Sequence, residues 1–257
     1  MLPLLNEKMK SINKVLIRIF LSTNFPLFLV LLLLSQTQVN AGGIEILQMV
    51  ETGNPTAIQM VESAGSTTDA CMLLHTCVYN GFLKAAHLLI DNGADINCQH
   101  QKNGTPLHTA VHRGQVNAII FLLDRGADVN TVDLNGITPL NAAIIKRTGN
   151  TVALLLNRGA DPSMIHHVTG MTPLRLASEF RCTVCIKLLV KAGADLEVRS
   201  LAGPDAGLTV LMTAIRSATS TTTSEGSYFE TIETLITEGA SVNVVSIKQL
   251  KILILLC

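Results

Sequence analysis

The residues best suited to chemistry are six cysteines and seven histidines in a chain of 257 residues. Cys182 and Cys185 form a Cys-x-x-Cys pair, a spacing that serves zinc binding or thiol exchange when a second ligand set or a thioredoxin-like context accompanies it. Neither accompanies it here, so packing at the start of a helix is the stronger reading. His75 and His108 could act as general bases, but no acid or nucleophile lies near either in sequence to complete a relay. His166 and His167 sit together among turn-forming residues; a solvated loop is the plain reading, and metal binding or a partner contact is the alternative. The sequence has no phosphate-cradling loop, dinucleotide glycine pattern or zinc-hydrolase motif. The expectation is a protein that is not an enzyme, with no catalytic or metal residue and no cofactor.

Composition narrows the partners. Apolar residues make up 48% of the chain, enough to bury a substantial core. Lysines and arginines number 19 and so do aspartates and glutamates, so no net field draws phosphate backbones, and nucleic acid is not an expected partner. Aromatic content of 4% with no Trp leaves few platforms for stacking bases or sugars. Six cysteines are too few for a disulfide-built scaffold of this length, and they do not settle the compartment.

Residues 1–41 read as a leader. Lys8, Lys10, Lys14 and Arg18 precede an uncharged stretch from Ile19 to Leu34, and Val39-Asn40-Ala41 supplies a small-residue cleavage site before Gly42. A cleaved signal peptide, an uncleaved signal anchor, and a mis-assigned start or buried helix all fit, although Ser22, Thr23, Asn24 and Pro26 interrupt the stretch and leave it short of the roughly 20 apolar residues of a spanning helix. Export to the secretory pathway or outside the cell follows from cleavage. Membrane attachment or a cytoplasmic location follows otherwise, and a membrane becomes a partner only if the segment is retained.

One signal repeats. Gly-Ala-Asp triplets begin at Gly93, Gly126, Gly159 and Gly193, in steps of 33, 33 and 34 residues. A Thr-Pro-Leu element recurs at Thr105, Thr138 and Thr172, in steps of 33 and 34. A fifth copy, from Leu208 to Asn243, carries four extra residues before its first helix and nine between its helices. The second insertion falls in the Ser/Thr-rich run from Ser217 to Ser227, which reads as a flexible loop. A degenerate copy over 43–69 lacks the leading hairpin and suits a capping unit.

The pattern encodes two helices and a turn. Thr105 can cap a helix whose first residue is Pro106, because proline's missing N–H costs nothing there. Leu107, Ala110 and Val111 form a narrow apolar stripe with a small residue at its middle. Gly114 breaks the helix, and Val116, Ile119, Leu122 and Leu123 form the inward stripe of a second helix ending at Gly126. Asp128, Asn130, Asp133, Asn135 and Gly136 then carry the chain out and back as a finger.

These residues resemble the ankyrin repeat. The likeness rests on Thr105-Pro106-Leu107-His108-x-Ala110 followed by Leu122-Leu123-x-x-Gly126-Ala127-Asp128-x-Asn130, and on the matching runs from Thr138-Pro139 through Gly159 to Asp161 and from Thr172-Pro173 through Gly193 to Asp195. Arg147 and Arg181 replace the inter-helix glycine, and Asn141, Arg175 and Met212 replace the histidine. The resemblance implies an all-α solenoid of stacked helix-turn-helix units with β-hairpin-like finger loops, five repeats over 70–243, and His75 and His108 as structural hydrogen bonders between units. It also implies a protein partner, of unknown identity, met through a concave face and the fingers. The expected contacts are Thr109, His112, Arg113, Ile145, Lys146 and Phe180 on first helices, with Gln101, Lys102, Asp133 and Asn135 on fingers. The competing role is a membrane-anchored structural adaptor, or a fragment of a larger ankyrin-repeat membrane or toxin-like protein. Asn103-Gly104-Thr105 is an acceptor sequon at a finger-to-helix junction, so Asn103 is a candidate for glycosylation in an exported chain. The apolar tail over 244–257 is not a polar-faced cap, which suggests either an array cut short or a last helix packed over Leu235 and Ile236.

Overall fold

The computed structural model describes residues 41–65, 70–100, 104–166, 169–200, 206–220 and 225–242. The leader over 1–40, Gln101, Lys102, Asn103, His167, the insertion at 201–205 and the tail over 243–257 lie outside the described residues. The fold is all-α. Twelve helices follow one another in pairs among the described residues: α1 (Ala41–Glu51), α2 (Pro55–Ala64), α3 (Ala70–Asn80), α4 (Leu83–Asp91), α5 (Pro106–Arg113), α6 (Val116–Asp124), α7 (Pro139–Ile145), α8 (Gly149–Asn157), α9 (Pro173–Glu179), α10 (Thr183–Lys191), α11 (Val210–Ser220) and α12 (Glu225–Thr237). No described helix is long and apolar enough to cross a membrane.

The chain divides into two compact units, 1–127 and 128–257. In the first, α3 packs on α4 and α5, α5 on α6, and α1 and α2 on each other and on α4. In the second, α7 packs on α8 and α9, α9 on α10 and α11, and α10 and α11 on α12. Each pair buries one leucine-rich stripe per helix, so Leu74, Leu89, Leu107 and Leu122 fill the first unit, and Leu140, Leu155, Leu174 and Leu189 the second, all at 1% exposure or less. Within each unit first helices approach closely because their middle residue is small: Cys77 and Ala110 in the first and Ala143 and Ala177 in the second are fully buried.

The motif residues explain the local geometry. Thr138 and Thr172 accept hydrogen bonds from the backbone N–H groups of Asn141 (3.1 Å) and Arg175 (3.3 Å), and a proline occupies the next position. The repeated aspartate makes the same turn four times, with Asp95, Asp128, Asp161 and Asp195 each accepting from the N–H two residues on, at 2.8–2.9 Å. Asn130 reaches the following repeat: its Nδ2 donates to the Gly159 carbonyl and its Oδ1 accepts from the Asp161 N–H. Fingers close through backbone bonds such as Asp133 N–H to the Ile137 carbonyl (2.9 Å), and the His100–Gly104 pair forms an antiparallel bridge.

Two expectations fail on geometry. Val116 was expected on an inward stripe but is 45% exposed, because it starts α6 two residues before Ala118, the first residue of the face that is buried with Ile119 and Leu122. The Ser/Thr run from Ser217 to Ser227 was expected to be a loop, yet α11 continues to Ser220 and α12 begins at Glu225; residues 221–224, between them, lie outside the described residues. Once Val210, Leu211, Ala214 and Ile215 anchor α11, extending it adds a hydrogen bond per residue at a modest propensity cost for Ser and Thr.

Candidate functional site

The expected contact residues divide by exposure. His112, Arg113, Ile145, Lys146 and Phe180 are exposed at the ends of first helices, and Asn135 is exposed on its finger. Thr109 is a correction: it is 4% exposed, and its hydroxyl lies 2.8 Å from His75 Nδ1. Position 109 falls one turn after the cap and faces α3, so it is part of the packing between repeats. Asp133 is half-buried and committed to its own finger, where Oδ1 accepts from the N–H groups of Asn135 and Ile137 at 2.8 Å each. Those bonds fix a tip on which Leu134 is 70% exposed. Sequence reasoning passed over Leu134, although an apolar residue between Asp133 and Asn135 in a polar turn was the visible signal.

The exposed side chains have local support. In the first unit the Arg113 guanidinium lies 4.0 Å over the Tyr79 ring, and Gln115 Nε2 donates to the Tyr79 carbonyl. In the second unit Arg147 and Arg181 hold φ of 56° and 53°, in the left-handed region where the first two full repeats place Gly81 and Gly114. Arg147 Nη2 donates to the Arg181 carbonyl (3.1 Å), and Arg181 stacks 4.4 Å over Tyr228.

The histidines behave differently from each other. His75 joins two repeats, as expected, through Thr109, which is 34 residues away. The described bonds of His108 include an inward one, its Nδ1 accepting from the Thr105 N–H at 3.2 Å. Burial, and after it the nearby His100, lowers the His75 pKa to about 4, while a backbone group of Cys98 partly opposes the shift. The ring is therefore neutral near pH 7, and its Nε2 is buried without a hydrogen-bond partner among the described residues. Asn141, which stands at the same repeat position, has both amide atoms buried and unpartnered among those residues.

The cysteines pair more than the sequence led us to expect. Cys71 and Cys98 form a disulfide, as do Cys182 and Cys185. The packing reading of the Cys-x-x-Cys pair also holds: Cys185 is fully buried in α10, and Cys182 Sγ caps that helix by accepting from the Cys185 N–H. Cys77 is a free, buried thiol whose pKa burial raises well above the ordinary value.

A helix pair that repeats every 33 residues, capped by Thr-Pro and closed by an Asp-held finger, defines a class of repeat proteins. A family model described as ankyrin repeats (3 copies) matches residues 74–166 and again residues 150–246. The chain belongs to the ankyrin repeat family. Comparison with curated proteins gives no match. Ankyrin repeats are generally protein–protein interaction modules, and proteins built from them are typically non-enzymatic.

Proposed function

We propose that this protein is a non-enzymatic scaffold that binds a protein partner through its fingers and the exposed ends of its first helices. The observation that carries the reading is Leu134, a large apolar side chain held 70% exposed on a fingertip that Asp133 fixes. An apolar residue kept in water on an ordered tip costs folding nothing to bury against another surface, which is how anchor residues at interfaces act. Ile145, Lys146 and Phe180 in the second unit, and His112 and Arg113 in the first, are the accompanying contacts. A photo-crosslinking residue at position 134 or 180 tests this. One partner should be captured from both positions and lost with Leu134→Glu or Phe180→Glu; crosslinking to many proteins that survives both changes sinks the reading.

For location we propose export, supported by the form of the leader and by the two cysteine pairs, which an oxidising compartment would keep bonded. Mass spectrometry of protein from a eukaryotic secretory host should find Gly42 as the first residue and a glycan on Asn103. An intact leader with bare Asn103 would favour the anchored or cytoplasmic alternative.

A further inference from the structure

Cys71 and His75 lie four residues apart on α3, on one face of the helix, and Cys98 lies on the finger that follows α4. One ligand atom from each of the three lies within 4.8 Å of the other two. His100, two residues past Cys98, places its ring centroid 5.3 Å from that of His75. A tetrahedral zinc ion, with Zn–S near 2.3 Å and Zn–N near 2.0 Å, sets neighbouring ligand atoms about 3.5 Å apart and two bound imidazole centroids about 5 Å apart. With the Cys71–Cys98 bond opened, ligand atoms grouped within 4.8 Å and histidine rings 5.3 Å apart are close enough to adopt that spacing. His75 is also prepared as a ligand: Nδ1 is engaged by Thr109 at 2.8 Å, which orients the ring and leaves Nε2 to coordinate. That Nε2 is a buried polar atom without a close hydrogen-bond partner among the described residues, in a side chain 4% exposed, and the backbone hydrogen bond that raises the ring's pKa comes from Cys98, on the finger itself.

We propose that the reduced protein binds one zinc ion through Cys71 Sγ, Cys98 Sγ and His75 Nε2, with His100 as the fourth ligand. Binding releases the two thiol protons to solvent and forms two zinc–thiolate bonds; no electron is transferred. The disulfide is the two-electron-oxidised state of the same two sulfurs, so zinc and the disulfide exclude each other. Zinc would join α3 to the finger after α4, two segments the disulfide otherwise links. The Cys182–Cys185 pair has no histidine or third cysteine ligand grouped with it among the described residues and is not part of this site.

The test uses the full chain, reduced with a phosphine and titrated with Co²⁺, whose thiolate charge-transfer and tetrahedral ligand-field bands report the ligand set. One equivalent should produce both bands, and one equivalent of Zn²⁺ should abolish them. Cys71→Ser and Cys98→Ser should each roughly halve the charge-transfer band and weaken binding at least tenfold. Thr109→Val should weaken it by about tenfold through the lost orientation of His75, and the Cys182→Ser/Cys185→Ser double variant should bind as the parent does. Alkylation of the unmutated protein gives a readout that does not depend on variants folding: Zn²⁺ should protect Cys71 and Cys98 together, mapped by peptide mass. Absent bands, bands that vanish with the Cys182/Cys185 variant, or unprotected Cys71 and Cys98 would overturn the site. Unchanged affinity in His100→Ala would overturn the assignment of the fourth ligand.

Discussion

Thr109→Val separates a buried tie between repeats from an exposed contact. Valine matches threonine in shape but cannot hydrogen-bond, so the change leaves His75 Nδ1 without its 2.8 Å partner in a site where both residues are 4% exposed. Orphaning a buried polar atom costs about 1–3 kcal/mol, and we expect about 2 kcal/mol here. Thr109→Ser keeps the hydroxyl and deletes one buried methyl, for a loss of about 1 kcal/mol. The expected order is therefore parent, serine, valine. Urea unfolding followed by circular dichroism, on metal-free protein, measures it: with a slope near 2 kcal/mol per molar, valine should lower the midpoint by about 1 M and serine by about 0.5 M. The transition to follow is the one that carries residues 1–127, since a repeat array need not unfold as one cooperative unit. His75→Leu on the valine background should cost less than on the parent, because both changes remove the same bond. A valine variant as stable as the parent, or a serine variant less stable than valine, would refute the assignment of this hydrogen bond.

The His75 pKa of about 4, below its ordinary 6.5, means that folding favours the neutral ring. Its contribution is complete above pH 6.5 and is lost as pH falls toward 4, by at most about 3 kcal/mol. The parent should therefore lose more stability than His75→Gln across that window in urea unfolding of metal-free protein; parallel profiles would count against it, and His100 and His108 are the neighbours whose own charging must be compared. Arg147→Gly should raise the unfolding midpoint, because relieving a left-handed residue gains about 1 kcal/mol and sacrifices one exposed hydrogen bond. Arg181→Gly gains the same but forfeits the stacking on Tyr228, worth about 1 kcal/mol, so it should be near neutral; a larger gain at 181 than at 147 would contradict this. Asn141→Leu removes two unpartnered buried amide atoms and should stabilise by about 1 kcal/mol, which thermal unfolding would register as a higher Tm.

The frame was legible in the sequence because its determinants are local. Thr105, Pro106 and Gly114 act within their own helix, and Asp128 bonds an N–H two residues away, so composition at fixed spacing was enough to place helix starts, stops and fingers. What failed depends on facing. Val116 and Thr109 were misassigned because a one-position shift around a helix turns a side chain from solvent to core, and the period alone does not fix that angle. The Cys71–His75–Cys98 cluster was missed for a further reason. Its members belong to the same repeat, 27 residues from first to last, but come together only because the finger folds back beside α3, and although His108 repeats the histidine, the next copy has Gly104 and Thr131 where this one has Cys71 and Cys98. A period reveals what every repeat shares. The proposed sites lie where one repeat departs from the others, at Cys71 and Cys98 beside His75 and at Leu134 on its finger, and departures of that kind acquire meaning only when the frame has placed their neighbours.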